Sequence, residues 1–193
     1  MDNARIVDFI FEAFHLKNIR HEWWRMCGVE NPDSIAEHSL NAAQIWYILA
    51  KIEWADSNKV TSMLIWHDIG ETRIWDFHKV ACRYIKDKKQ IEKNVLSDQL
   101  NWFPFAQEIS ELFSEYEERN TLEWIIAKDA DYLEQAFQAK IYIEKWYVNA
   151  DDWIINVWKA LKTDSAKELW RCMISKSFVD WWKENKLKNL DNI

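Results

Sequence analysis

The chain has 193 residues and a formal net charge of −7, enough length to bury a sizeable core and too acidic a balance for a protein that coats DNA or RNA with a basic face. Two Gly and two Pro against 49% hydrophobic residues predict an all-α fold with few sharp turns. Cys27, Cys82 and Cys172 are odd in number and widely spaced, which predicts reduced, buried thiols of a cytoplasmic protein and excludes a disulfide framework or a zinc knuckle.

Ile6, Phe9, Ile10, Ala13 and Phe14 recur at helical spacing and predict a first helix over about residues 3–16. A segment rich in Arg, His and Trp follows (Arg20, His21, Trp23, Trp24, Arg25). Ser34 and Glu37 form a capping box that opens a second helix reaching about residue 54. Its stripe of Ile35, His38, Ala42, Ile45, Leu49 and Ile52 turns His38 inward. A third helix from near Ser57 or Asn58 carries Val60, Leu64, His67, Asp68 and Glu71 on one side. Three polar groups ending an apolar stripe are costly in a dry core unless they are paired or metal-bound. Helices over about 88–100 and 105–116 flank Pro104, and a long helix over about 121–147 aligns Trp124, Ala127, Lys128, Asp131 and Gln135. Segments 151–161 and 164–186 are amphipathic, with a solvated helix end near 183–188. The chain has no run of 18 apolar residues and no basic leader before an apolar run, so neither a membrane span nor a secretory signal is expected. Fourteen Trp read mainly as core, and Trp153, Trp158, Trp170, Trp181 and Trp182 as core or a subunit contact. His15 and His21 read as surface residues, Arg73 and His78 as surface or ion-pairing groups.

His67 and Asp68, with His38 before them and a late Asp after them, can converge on one divalent ion. Two imidazoles and two carboxylates suit a borderline cation such as Co²⁺, Mn²⁺, Fe²⁺ or Zn²⁺. Glu71 stands one turn beyond the pair, where an acid/base group can serve that ion.

Four blocks carry a family resemblance: G-V-E-N-P-D-S-I-A-E-H-S-L at 28–40, W-H-D-I-G-E-T-R-I-W-D at 66–76, E-Y-E-E-R-N-T-L-E at 115–123 and K-D-A-D-Y-L at 128–133. In this order and spacing they resemble the HD-domain phosphohydrolases, in particular the small branch that includes the 5′-deoxynucleotidases. The resemblance implies one HD-domain helical bundle over 1–193, its motifs within about 16–140 and its C-terminal helices at about 150–188. It implies His38, His67, Asp68 and Asp131 as metal ligands, with Asp129 as the alternative for the last, and Co²⁺, Mn²⁺ or Mg²⁺ as the ion, Fe²⁺ and Zn²⁺ also fitting. Glu71 matches the acid that works on water or leaving group, and Asp76 a second acid near the sugar. Arg20, Trp24, Arg25, Lys128 and Glu117 are the implied substrate contacts. The implied activity is removal of phosphate from nucleoside 5′-phosphates, deoxynucleoside monophosphates first. Nucleoside di- or triphosphates are the second reading, and a helical binding module with a structural metal is the third. The implied partner is a small nucleotide rather than a polymer or a membrane, and the relatives make a homodimer an expectation.

Overall fold

The computed structural model describes residues 2–118 and 121–188, so positions 119–120 of the 115–123 block lie outside the described residues. Among the described residues twelve α-helices follow one another: α1 (Asn3–Phe14), α2 (Glu22–Met26), α3 (Ile35–Ile52), α4 (Ser57–Trp66), α5 (Glu71–Ile74), α6 (Lys79–Cys82), α7 (Lys88–Leu100), α8 (Ala106–Glu118), α9 (Leu122–Glu144), α10 (Asp151–Ala160), α11 (Asp164–Ser175) and α12 (Asp180–Lys188). The fold is all-α. Among the described residues the sole β-type pairing is an isolated bridge between Arg20 and Ser34. No helix among them is long and apolar enough to cross a membrane.

Polar residues set the helix starts. Ser34 accepts from the Glu37 N–H while Glu37 accepts from the Ser34 N–H, completing the capping box of α3. Asp56, Thr121 and Thr163 cap α4, α9 and α11, each cap contributing about 1 kcal/mol. The helix ends show the consequence of having so few glycines. Trp54 and Trp146 take the left-handed position after α3 and α9, at φ 59° and 74°. There the N–H of Ala55 reaches Ala50 O (2.9 Å) and that of Tyr147 reaches Tyr142 O (3.0 Å), the bonding of a Schellman turn.

α3 and α9 are the central pair: α4 packs on α3, and α10 and α11 pack on α9. The buried side chains form three clusters. One fills the space among α3, α4, α9, α10 and α11 around Trp46, Leu64 and Leu133. A second joins the 3₁₀ turn after α1 to α7 and α8 around Ile19, Leu100 and Phe113. A third gathers Trp24, Tyr142 and Ala150 at the far end of α9.

Four expectations need correcting. The third helix stops at Trp66 and resumes as α5, so His67 and Asp68 lie in the break. The segment expected as one helix over 164–186 divides between α11 and α12, because Ser177 and Asp180 form a turn in which the Ser177 N–H donates to Asp180 (2.8 Å). Cys27 is buried but Cys172 is exposed. His21, expected at the surface, is 2% exposed.

Candidate active site

His38 sits in the first turns of α3, where the capping box fixes its direction. Its ring is buried, and Nδ1–H donates to Glu134 of α9 at 2.6 Å. His67 donates its Nδ1–H to the Leu64 carbonyl at 2.7 Å. Each ring therefore turns Nε2 toward the carboxylates, and in the neutral ring that nitrogen is the one able to bind a cation. Nε2 of His67 lies 2.9 Å from Asp68 Oδ2, and Nε2 of His38 lies 3.8 Å from that oxygen. One ligand atom from each of His38, His67 and Asp68 fits within 4.8 Å of the others. Asp131 closes the fourth side, its Oδ1 3.4 Å from His38 Nε2 and its Oδ2 2.5 Å from Lys128 Nζ. Gln135 donates to Asp131 Oδ1 at 3.1 Å.

Asp129 plays no part in this grouping. Its carboxylate accepts from the Lys162 N–H (2.9 Å), the Thr163 N–H (2.7 Å) and the Thr163 hydroxyl (2.8 Å), fastening the start of α11.

The break between α4 and α5 is held from outside. Gln99 of α7 donates to Thr72 (2.9 Å), to the Ile69 carbonyl (3.3 Å) and to Glu12 of α1 (2.8 Å). Arg73 is spent on Glu12, its Nη2 at 3.0 Å. Glu71 thus points inward, buried, with Oε2 bonded to nothing in the protein. Burial, reinforced by the charges of Asp68 and Asp76, pushes its carboxyl well above the ordinary range. Asp76 is also raised by burial, against which it accepts the Glu22 N–H at 3.0 Å.

The four carboxylate and imidazole side chains open into a pocket of about 280 Å³ whose lining also includes Glu71, Asp76, Lys88, Glu117 and Lys128. Although burial opposes it, Lys128 holds Asp131 well below the carboxylate range. Burial opposes protonation of His38 as well, yet the charge of Glu134 raises it well above the ordinary imidazole. The ring of acids therefore favours positive charge at its centre. A divalent cation answers that field and the donor set of two imidazoles and two carboxylates.

The expected substrate segment is arranged differently. Trp24 is 1% exposed and packs against Tyr142 and Trp153 at ring distances of 5.2 and 4.8 Å, so it belongs to the core. Its neighbour Trp23 lines the pocket, stacked on His21 at 4.3 Å. Arg20 donates to the Pro32 carbonyl (3.1 Å) and pairs with Glu37 (3.5 Å); Arg25 pairs with Glu22 (3.1 Å). Neither arginine lines the pocket. The cations that do are Lys88 and Lys89 of α7 and Lys128 of α9. Lys88 pairs with Glu92 (3.0 Å) and Lys89 with Glu117 (2.8 Å). His78 caps α6, accepting from the Ala81 N–H at 3.2 Å. Sequence reasoning missed Trp23, His21, Lys88, Lys89 and Glu134. A Lys pair at the start of the helix expected over about 88–100 was the one signal for the lysines.

A family model described as HD domain matches residues 13–171. A 5′-deoxynucleotidase HDDC2 from Dictyostelium discoideum is 32% identical, the alignment covering 72% of this chain and 78% of that protein. A 5′-deoxynucleotidase hdd1 from Schizosaccharomyces pombe is 30% identical over 73% of this chain and 74% of its own length. A conserved hypothetical protein from Pyrococcus furiosus superposes with a TM-score of 0.75 at 30% identity, covering 88% of this chain and 99% of that one.

Proposed function

This chain belongs to the HD domain family, and from that premise we propose that it is a metal-dependent phosphohydrolase releasing phosphate from nucleoside 5′-monophosphates, deoxynucleotides first. The observation that carries the reading is the convergence of His38, His67 and Asp68 ligand atoms within 4.8 Å, beside a buried Glu71 oxygen that no protein group satisfies. The names of the two curated relatives support the choice of substrate.

In this reading His38, His67, Asp68 and Asp131 hold the cation. When bound, that cation polarises a phosphoryl oxygen and lowers the pKa of water. The other roles belong to side chains in place. Burial and the charges of Asp68 and Asp76 raise the Glu71 carboxyl above the ordinary carboxylate range, which suits it to deliver a proton to the leaving 5′ oxygen. Lys88 and Lys128 face the pocket and neutralise phosphate oxygens during the transfer. Asp76, anchored on the Glu22 N–H, lies where the sugar would pass. Glu117, paired with Lys89, shapes the outer wall.

A panel of nucleoside mono-, di- and triphosphates assayed with Co²⁺, Mn²⁺ and Mg²⁺, with products identified, tests the proposal. Orthophosphate from deoxynucleoside monophosphates is the expected result. Release of pyrophosphate or intact triphosphate as the main product overturns the monophosphate assignment, and no hydrolysis of any ester overturns the enzyme.

The proposal includes a homodimer and a cytoplasmic location. Leu40, Tyr47, Ile48 and Ile65 are exposed along a groove between α3 and α4, an apolar strip suited to a second copy. Sedimentation velocity at micromolar concentration should show a dimer that Ile48→Glu dissociates; a monomeric wild type refutes it. Three unpaired cysteines fit a reducing compartment.

A further inference from the structure

The pocket at the ligands is small for the substrate assigned to it. Its volume is about 280 Å³, at or below the low end of the roughly 300–1,000 Å³ of ligand sites. A phosphate and part of a sugar fit there, and the rest of a nucleotide needs more room. A second cavity of about 490 Å³ shares Trp23, Lys128 and Gln135 with the first.

We infer that this second cavity, walled by Trp23, Tyr132 and Trp153 and edged by Gln135 and His78, is the seat of the nucleobase. The inference rests on the nucleotide reading above and adds a ligand site to it. A base has two apolar faces and a polar edge, and the cavity offers both kinds of partner. Three aromatic side chains from α2, α9 and α10 line it. Trp23 stacks on His21 at an interplanar angle of 20° and meets Trp24 edge-on at 6.5 Å, and the surface it presents to the cavity is one a ligand ring can stack on. Gln135 spends its amide N–H on Asp131, so its carbonyl oxygen remains as an acceptor. His78 Nδ1 accepts from the Ala81 N–H, which places its proton on Nε2 as a donor. A seat with stacking surfaces and one donor and one acceptor tolerates every base, since each has a π face. The structure thus selects for the presence of a base more strongly than for its identity. Gln135 also links the seat to Asp131, so the two ends of the nucleotide are read by neighbouring turns of α9.

Val80 and Met26 stand at the rim, 54% and 70% exposed, where a larger side chain fills the cavity without disturbing the core. Val80→Trp and Met26→Trp are assayed with Co²⁺ against deoxyadenosine 5′-monophosphate and against 2-deoxyribose 5-phosphate, which lacks the base. The expected result is a KM for the nucleotide raised about tenfold or more with kcat little changed, while kcat/KM for the sugar phosphate stays within about twofold. An unchanged nucleotide KM in both variants, or an equal loss on both substrates, overturns the seat and leaves the phosphohydrolase standing. If the wild type hydrolyses neither compound, the parent reading fails, and calorimetric titration with deoxyadenosine decides the seat separately. Binding that Val80→Trp abolishes supports it; no binding to the wild type overturns it.

Discussion

A histidine is a dependable ligand only when its second nitrogen is held, and the holder of His38 is the acid that sequence reading passed over. Glu134 accepts Nδ1–H of His38 at 2.6 Å and so fixes the tautomer, the ring plane and the basicity of Nε2. Glu134→Gln keeps an acceptor but removes the charge. Metal affinity, measured by competition with a chelator, should fall about 10- to 100-fold, and an unchanged affinity would refute the orienting role. Glu71→Gln is the complementary case. It should retain the metal and lose about 10²- to 10⁴-fold in kcat; full turnover would remove Glu71 from the chemistry. The signal for Glu134 was present, since it lies one turn beyond Asp131 and beside Gln135 on the long helix. Trp23 and Trp24 offered no such signal. α2 has five residues, too few for a periodic pattern to tell which of two adjacent Trp points to solvent-accessible space and which to the core.

At the level of elements, helix geometry alone separates the two candidate acids of the K-D-A-D block. Residues two apart on an α-helix point about 200° from each other, so Asp129 and Asp131 must serve opposite sides of α9. Asp129 serves α11. Asp129→Asn should lower stability by about 1–3 kcal/mol in a denaturant titration while activity per folded molecule persists; loss of metal binding in that variant would show the roles reversed. The left-handed Trp positions give a second prediction. Trp54 is 95% exposed, so its replacement forfeits almost no packing, and Trp54→Gly should raise stability by about 1 kcal/mol by relieving the strained φ. A lower midpoint would contradict it. Most helix bounds were readable from caps and periodicity. The break after Trp66 was not, because the apolar stripe runs on through Ile69 and Gly70 was the single interruption. The break has a purpose visible only in three dimensions. Adjacent residues of a regular helix diverge by about 100°, and leaving the helix lets His67 and Asp68 approach each other.

Across the whole molecule, the all-α architecture was legible from composition, and the inward turn of His38 from the apolar stripe of the second helix. How the elements assemble was not, because they are fastened by contacts distant in sequence, such as Gln99 to Thr72 and Glu12. The site lies where several of those elements meet. His38 comes from α3, His67 and Asp68 from the link after α4, and Asp131 from α9. An ion held by all three would add a tie between the link after α4 and the central pair to the packing that α3, α4 and α9 already share. Differential scanning calorimetry should show one sharp transition with cobalt bound. The same protein after chelation should melt lower and more broadly, with amide exchange rising first around 66–72. Identical melting curves would refute the tie. The consequence reaches regulation of abundance. If cooperative unfolding depends on the ion, metal supply decides both how fast the enzyme turns over substrate and how long each copy survives proteolysis.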